Sequence, residues 1–229
     1  MGSFESFLKA IRKDPEKPYG AEHINNAYDS LFADEIEMYK NESSISQYPW
    51  DIIFSQTDVN QLLEITSSSN VESRAKLLAG RTLISKGVSL TQKELLGVVI
   101  EISQNNGLGT IAAFKDGSIR YINYQEDLII WETQTNISLD MIADLFKISE
   151  EFLKKSVLPI IARETFPEVG NVRISFLAID GLRALEKNFI KVHKGDFAES
   201  ILEIGVKLML FLANQKKIKK RSGCINFFV

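Results

Sequence analysis

Ile111-Ala112-Ala113-Phe114-Lys115-Asp116-Gly117-Ser118-Ile119-Arg120-Tyr121-Ile122 is a pair of short runs, rich in β-branched, aromatic and small apolar residues, on either side of Asp116-Gly117. Strands favour such residues. Asp-Gly between them signals a hairpin, because both central positions of a type I′ turn take positive φ. A two-residue loop of that kind sets the expected register: Phe114 faces Ile119, Ala113 faces Arg120, Ala112 faces Tyr121 and Ile111 faces Ile122. Phe114, Ile119, Ala112 and Tyr121 are then expected on one face, and Ile111, Ala113, Arg120 and Ile122 on the other. Apolar residues on both imply that both faces are covered.

The pattern extends in both directions. Upstream, Leu95-Leu96-Gly97-Val98-Val99-Ile100-Glu101-Ile102 reads as a strand, or as the close of a helix begun at Thr91, and residues 105–109 turn the chain. Downstream, Gln125-Glu126-Asp127 leads into a further strand, Leu128-Ile129-Ile130-Trp131-Glu132. A helix capped by Asn136 or Ser138 is expected from Leu139 to Lys155, followed by a strand over 172–179 and a tight turn at Asp180-Gly181. The last helix, Phe197 to about Gln215, contains a largely apolar stretch, Ile201 to Ala213, short of the roughly 20 residues that cross a bilayer. Strands, helix, two strands, helix, joined by tight turns, give an α+β fold: an antiparallel meander sheet packed with two long C-terminal helices.

An all-helical N-terminal region precedes it. Short helices are expected over residues 4–11 and 21–41, then from an Asp58 cap over 59–66 and from an Asn70 cap over 71–86. Asp29, Asp34, Glu35 and Glu37 read as one solvated helix face, and Arg74, Lys76, Arg81 and Lys86 as another. The polar stretch 41–47 divides a helical appendage, 1–45, from an α+β domain, 46–215, whose helical part is 58–87 and whose sheet and helices are 95–215. Residues 216–229 form a basic and apolar tail.

Composition narrows the chemistry. The 229 residues are 45% hydrophobic and 25% charged, which suits a globular chain and excludes disordered and fibrous classes. Cys224 is the single cysteine, so no disulfide and no Cys-based zinc site can form within the chain. The two histidines, His23 and His193, lack metal-ligand spacing, and no cofactor is expected. Phosphate-loop, dinucleotide-fold, zincin, nucleophile-elbow and EF-hand signatures are all missing from the sequence. An acid near the N-terminus, with no basic-then-apolar leader, makes the cytoplasm the expected location.

Two features carry candidate chemistry. Glu101 and Arg120 are charged residues in runs fit for burial, with Tyr121 beside Arg120. In a shared cleft Glu101 is a candidate general base and Arg120 a candidate anion-binding group, with Tyr121 beside them. The alternative is a structural ion pair or two solvent-facing charges. In the tail, Lys216, Lys217, Lys219, Lys220 and Arg221 carry +5, while the other 22 cations oppose all 30 acids, a balance of −8 for the rest of the chain. Such a cluster can touch anionic lipid or nucleic acid, or simply sit at a solvated helix end facing its dipole.

Pro49-Trp50-Asp51, Glu72-Ser73-Arg74, and the run from Leu96 through Trp131-Glu132 together resemble, over residues 48–132, a segment in a family of bacterial proteins to which no activity is assigned. The resemblance implies a bacterial protein and brings no catalytic residue. The element order after residue 95 resembles the profilin-like, Roadblock and longin-type layout, which implies an interaction scaffold. The expected function is a non-enzymatic protein–protein interaction or regulatory module. The alternatives are a small enzyme or ligand-binding domain using Glu101, Arg120 and Tyr121, and peripheral membrane attachment through the tail.

Overall fold

A computed structural model describes residues 17–40, 46–90, 93–192 and 195–221, the side chains of 216–221 excepted. The expected helix over residues 4–11 and most of the polar stretch 41–47 lie outside the described residues. The fold is α+β. Helix α1 (Glu22–Ser30) and a 3-10 turn (Ile36–Tyr39) are followed by α2 (Trp50–Ser55), α3 (Val59–Ser67) and α4 (Ser73–Ser85). Strands β1 (Leu95–Gln104), β2 (Gly107–Phe114), β3 (Ile119–Ile122) and β4 (Leu128–Trp131) come next, then α5 (Asn136–Lys155), β5 (Asn171–Ala178), β6 (Gly181–Asn188) and α6 (Phe197–Arg221). The six strands form one antiparallel sheet in the order β4-β3-β2-β1-β5-β6.

Burial on both faces explains why β1 reads as a nearly unbroken apolar run. Val98, Ile100 and Ile102 face α5 and α6, in a cluster with Ile111, Ile119, Phe176, Leu145, Ile201 and Leu208. The alternate residues face the N-terminal helices, where Leu96, Val99, Ala112, Phe114 and Ile122 pack with Tyr28, Phe32, Leu62, Leu77 and Leu83. The part of the 1–45 segment from Tyr19 to Ala33 thus contributes to the same apolar cluster as α3, α4 and the sheet. Helix α4 approaches the β5–β6 turn closely at Gly80. A Cβ there would lie 2.8 Å from the Ile179 carbonyl oxygen.

The central hairpin differs from the expected one by a residue. Phe114 N donates to Ser118 O at 2.9 Å and Gly117 N to Phe114 O at 3.0 Å, so Lys115-Asp116-Gly117 forms a three-residue loop. Gly117 alone in that loop has positive φ, at 90°, which fits a type I turn closed by a glycine and excludes type I′. Ala113 consequently pairs with Ile119, Ala112 with Arg120 and Ile111 with Tyr121. Arg120 and Ile122 join Ala112 and Phe114 under the N-terminal helices, while Ile119 and Tyr121 turn to the other face.

The reason lies in Asp116. Its carboxylate accepts from Ser73 N at 2.7 Å and from Ser118 N at 2.9 Å, and its own N–H donates to Ser73 Oγ at 3.1 Å. Asp116 therefore caps the first turn of α4 from across the fold, in the place expected of Asn70, and Glu72 at the N-cap position supplies no side-chain cap. Helix α5 is likewise capped by Thr135, reciprocally with Ser138, and not by Asn136. The Asp58 cap of α3 is present, accepting from Asn60 N and Gln61 N.

Candidate functional site

Polar side chains among the apolar strands gather on the face under the N-terminal helices. Glu101 on β1 is fully buried. It pairs across the ladders with Thr110 on one side and Arg173 on the other. The Tyr28 hydroxyl of α1 donates to Glu101 Oε1 at 2.6 Å, and Tyr19 and Thr110 share a hydroxyl–hydroxyl bond of 2.9 Å. Among the described residues Glu101 Oε2 has no hydrogen-bond partner, although it is buried. Burial pushes the Glu101 carboxyl up to about 7, against the pull of the Tyr28 bond and the positive charges of Arg173 and Arg163. Burial and the facing carboxylate also hold the Tyr28 phenol well above its ordinary range.

The arginines near Glu101 are committed elsewhere. Arg173 donates to Glu186 Oε2 from Nε at 2.9 Å and from Nη2 at 2.6 Å, and its Nη1 bonds the Thr165 carbonyl. Arg163 binds Asp29 at 2.7 Å and Asp34 at 2.8 Å and lies over the Phe32 ring. Two of the acids expected on a solvated face therefore fasten α1 and the segment after it to the strand-preceding loop.

Arg120 sits two strands away from Glu101 on the same face and has its own partners. Its Nη2 donates to Glu132 Oε1 at 2.6 Å and its Nη1 to the Ile119 carbonyl at 3.1 Å. Burial and the neighbouring Arg74 charge push the Arg120 guanidinium down. Arg74 lies 5.8 Å from the Tyr39 and Phe114 ring centres, and Tyr39 stacks on Trp50, which stacks on Phe54. Arg74 also binds Glu72 at 3.1 Å. Of the cations expected on an exposed helix side, Arg74 and Lys76 are instead largely covered, because α4 lies directly against the sheet.

Tyr121 points to the opposite face, among Ile119, Trp131 and the C-terminal helices. The structure thus does not bring Glu101, Arg120 and Tyr121 into one cleft. A depression of about 300 Å³ lies instead at the β1–β2 turn, lined by Lys17, Ser103, Asn105, Asn106, Phe166 and Val169 among others, and none of the three candidates borders it. Among the described residues no cluster of His, Cys, Asp and Glu is suited to a metal, and no helix is long and apolar enough to cross a membrane. The backbone of α6 runs to Arg221, which places Lys216, Lys217, Lys219, Lys220 and Arg221 at its end, their side chains outside the described residues.

Spacing alone does not reveal Tyr28 as the partner of Glu101, or Asp116 as the cap of α4. Nor does it single out Arg173, although like Glu101 that residue is a charge within a strand whose neighbours are fit for burial. The segments 49–51, 72–74 and 114–120, far apart in the chain, converge on the Trp50, Tyr39, Arg74 and Arg120 cluster. No protein family, curated protein or solved structure matches this chain.

Proposed function

We propose that the chain is a non-enzymatic, cytoplasmic protein–protein interaction module. One observation carries the reading: the half-buried, stacked rings of Tyr39 and Trp50, backed by the covered Arg74, lie on the helix side of the sheet, where the buried Arg120 pairs with Ile130 of an apolar edge strand, β4. Tyrosine, tryptophan and arginine are the residues over-represented at the energetic centres of protein interfaces. Tyr48, two residues before Trp50, and Ile130, opposite Arg120 in the β3–β4 ladder, are 58% and 49% exposed and supply apolar contact area next to Trp50 and Arg120. The separate commitments of Glu101 to Tyr28 and of Arg120 to Glu132 favour a structural role for those charges over acid–base chemistry.

The test is a photo-crosslinking amino acid placed at position 48 or 130 in cells, with Lys154 on α5 as the control position. The reading expects the same discrete protein adduct from 48 and 130 and none from 154. Adducts absent at both, or equal at all three, would contradict it.

A further inference from the structure

We propose that β4 receives an added strand from its partner, an extended apolar segment with lysine or arginine at each end. This rests on the interaction reading above and names its geometry and chemistry. Strand β4 is the end of the sheet, and among the described residues only β3 pairs with it. Asn123 N donates to Asp127 O at 3.1 Å, which sets the alternation of the β3–β4 ladder. Ile129 and Trp131 then exchange hydrogen bonds with Tyr121 and Ile119, and Leu128 and Ile130 aim their N–H and C=O groups outward.

The two edges of the sheet are built differently. On β6, Arg183, Glu186 and Lys187 make ion pairs with Asp180, Arg173 and Asp196, and Ile161 bridges to Leu182. Charges and covering segments are how edges are kept from pairing. Leu128-Ile129-Ile130-Trp131 contains no charge, proline or bulge. It is open to main-chain pairing in the way peptide-binding edges are.

The flanks choose the occupant. Asp127 at one end is exposed, and Glu132 at the other is 68% exposed at its side chain, held at the rim by Arg120. With Leu128 and Ile130 aimed outward, a second copy can pair antiparallel with Leu128 opposite Ile130, a register that sets Glu126 of each copy opposite Glu132 of the other. The register with Ile130 opposite itself leaves Asp127 of each copy one residue from Glu132 of the other. Like charges directly opposite destabilise strand pairs, so the edge discriminates against its own kind. The −8 balance of residues 1–213 acts in the same sense. A segment with cations at both ends meets the two acids instead.

Two labelled peptides test this, Lys-Lys-Val-Thr-Val-Thr-Lys-Lys and its counterpart with glutamate in place of every lysine, titrated against the full chain. The expected result is at least tenfold tighter binding of the basic peptide, with slowed amide exchange at Leu128 and Ile130. Ile130→Pro removes an outward N–H without touching the β3 ladder and is expected to lose at least tenfold in affinity. Should that variant fold poorly, Asp127→Lys serves instead, narrowing or reversing the preference between peptides. No binding by the basic peptide, equal binding of both, or no change in either variant overturns the proposal. A dimer in sedimentation that Ile130→Pro dissolves also overturns it, since the occupant is then a second copy. If the peptides fail while crosslinks from 48 and 130 persist, strand addition falls and the interaction reading stands.

Discussion

Tyr28 donates its hydroxyl to Oε1 of the fully buried Glu101 at 2.6 Å. The bond ties α1 to the central strand, and the carboxyl it holds is pushed by burial up to about 7 from an ordinary 4.5. Between those values the folded chain keeps a proton that the unfolded chain releases. Stability from this group is therefore fully present below about pH 4.5, falls as pH rises toward 7 and levels off above. The fall amounts to about 3 kcal/mol at the ordinary conversion of about 1.4 kcal/mol per pKa unit. Urea unfolding of the native chain and of Glu101→Gln at a series of pH values checks this. The native curve is expected to descend relative to the variant across that window, and parallel curves would refute the assignment.

Tyr28→Phe removes the donor while leaving the ring in the Tyr19 and Phe32 contacts. The expected cost is about 1–3 kcal/mol for a buried acceptor left unmade. It should be larger at pH 8 than at pH 5, because the charged carboxylate loses more than the neutral acid. Equal costs at the two pH values would mean that the bond is not sensitive to the state of Glu101.

Asp116 has the opposite sign. Burial alone would raise its carboxyl, but the hydrogen bonds from Ser73 and Ser118 hold it below the ordinary range. Its contribution is present above about pH 4, the ordinary carboxylate value, and is lost as pH falls through the depressed folded value. Asp116→Ala uncaps α4 and opens the loop together, for an expected loss of about 1–2 kcal/mol. Amide exchange of Ser73 should rise with it. A neutral substitution there, with Ser73 still protected, would contradict the remote cap.

Gly80→Ala separates helix propensity from packing. Alanine stabilises an exposed helix interior by about 1 kcal/mol relative to glycine. At this position the added methyl meets the Ile179 carbonyl oxygen at 2.8 Å, and backbone cannot swing aside as a side-chain end can. A net loss of about 1–3 kcal/mol is expected in thermal or urea unfolding. A stabilised variant would show that α4 is not seated on the β5–β6 turn.

The α+β class, the meander and the two long C-terminal helices were legible in local patterns, because alternation and capping are written in neighbouring residues. The slip at Asp116-Gly117 was not. Asp-Gly suits both a two-residue I′ turn and a three-residue loop closed by glycine, and the choice depends on Ser73, 43 residues away in sequence. That single residue moved Arg120 to the face of Ala112 and Tyr121 to the face of Trp131. The acids of α1 and the cations of α4 misled for a related reason. Helical spacing shows which residues share a side, but Asp29 finds Arg163 and Arg74 finds Tyr39 only once tertiary packing is complete. Glu101 stood out correctly as a charge in a buried run, and its partner on α1 was beyond the reach of spacing.

Residue-resolved amide exchange on the free protein tests the central claim, that the outer edge of β4 is open for a partner. The N–H groups of Leu128 and Ile130 are expected to exchange orders of magnitude faster than those of Ile129 and Trp131, which bond to β3. Equal protection of all four would mean that the edge is already paired or covered, and would contradict the account.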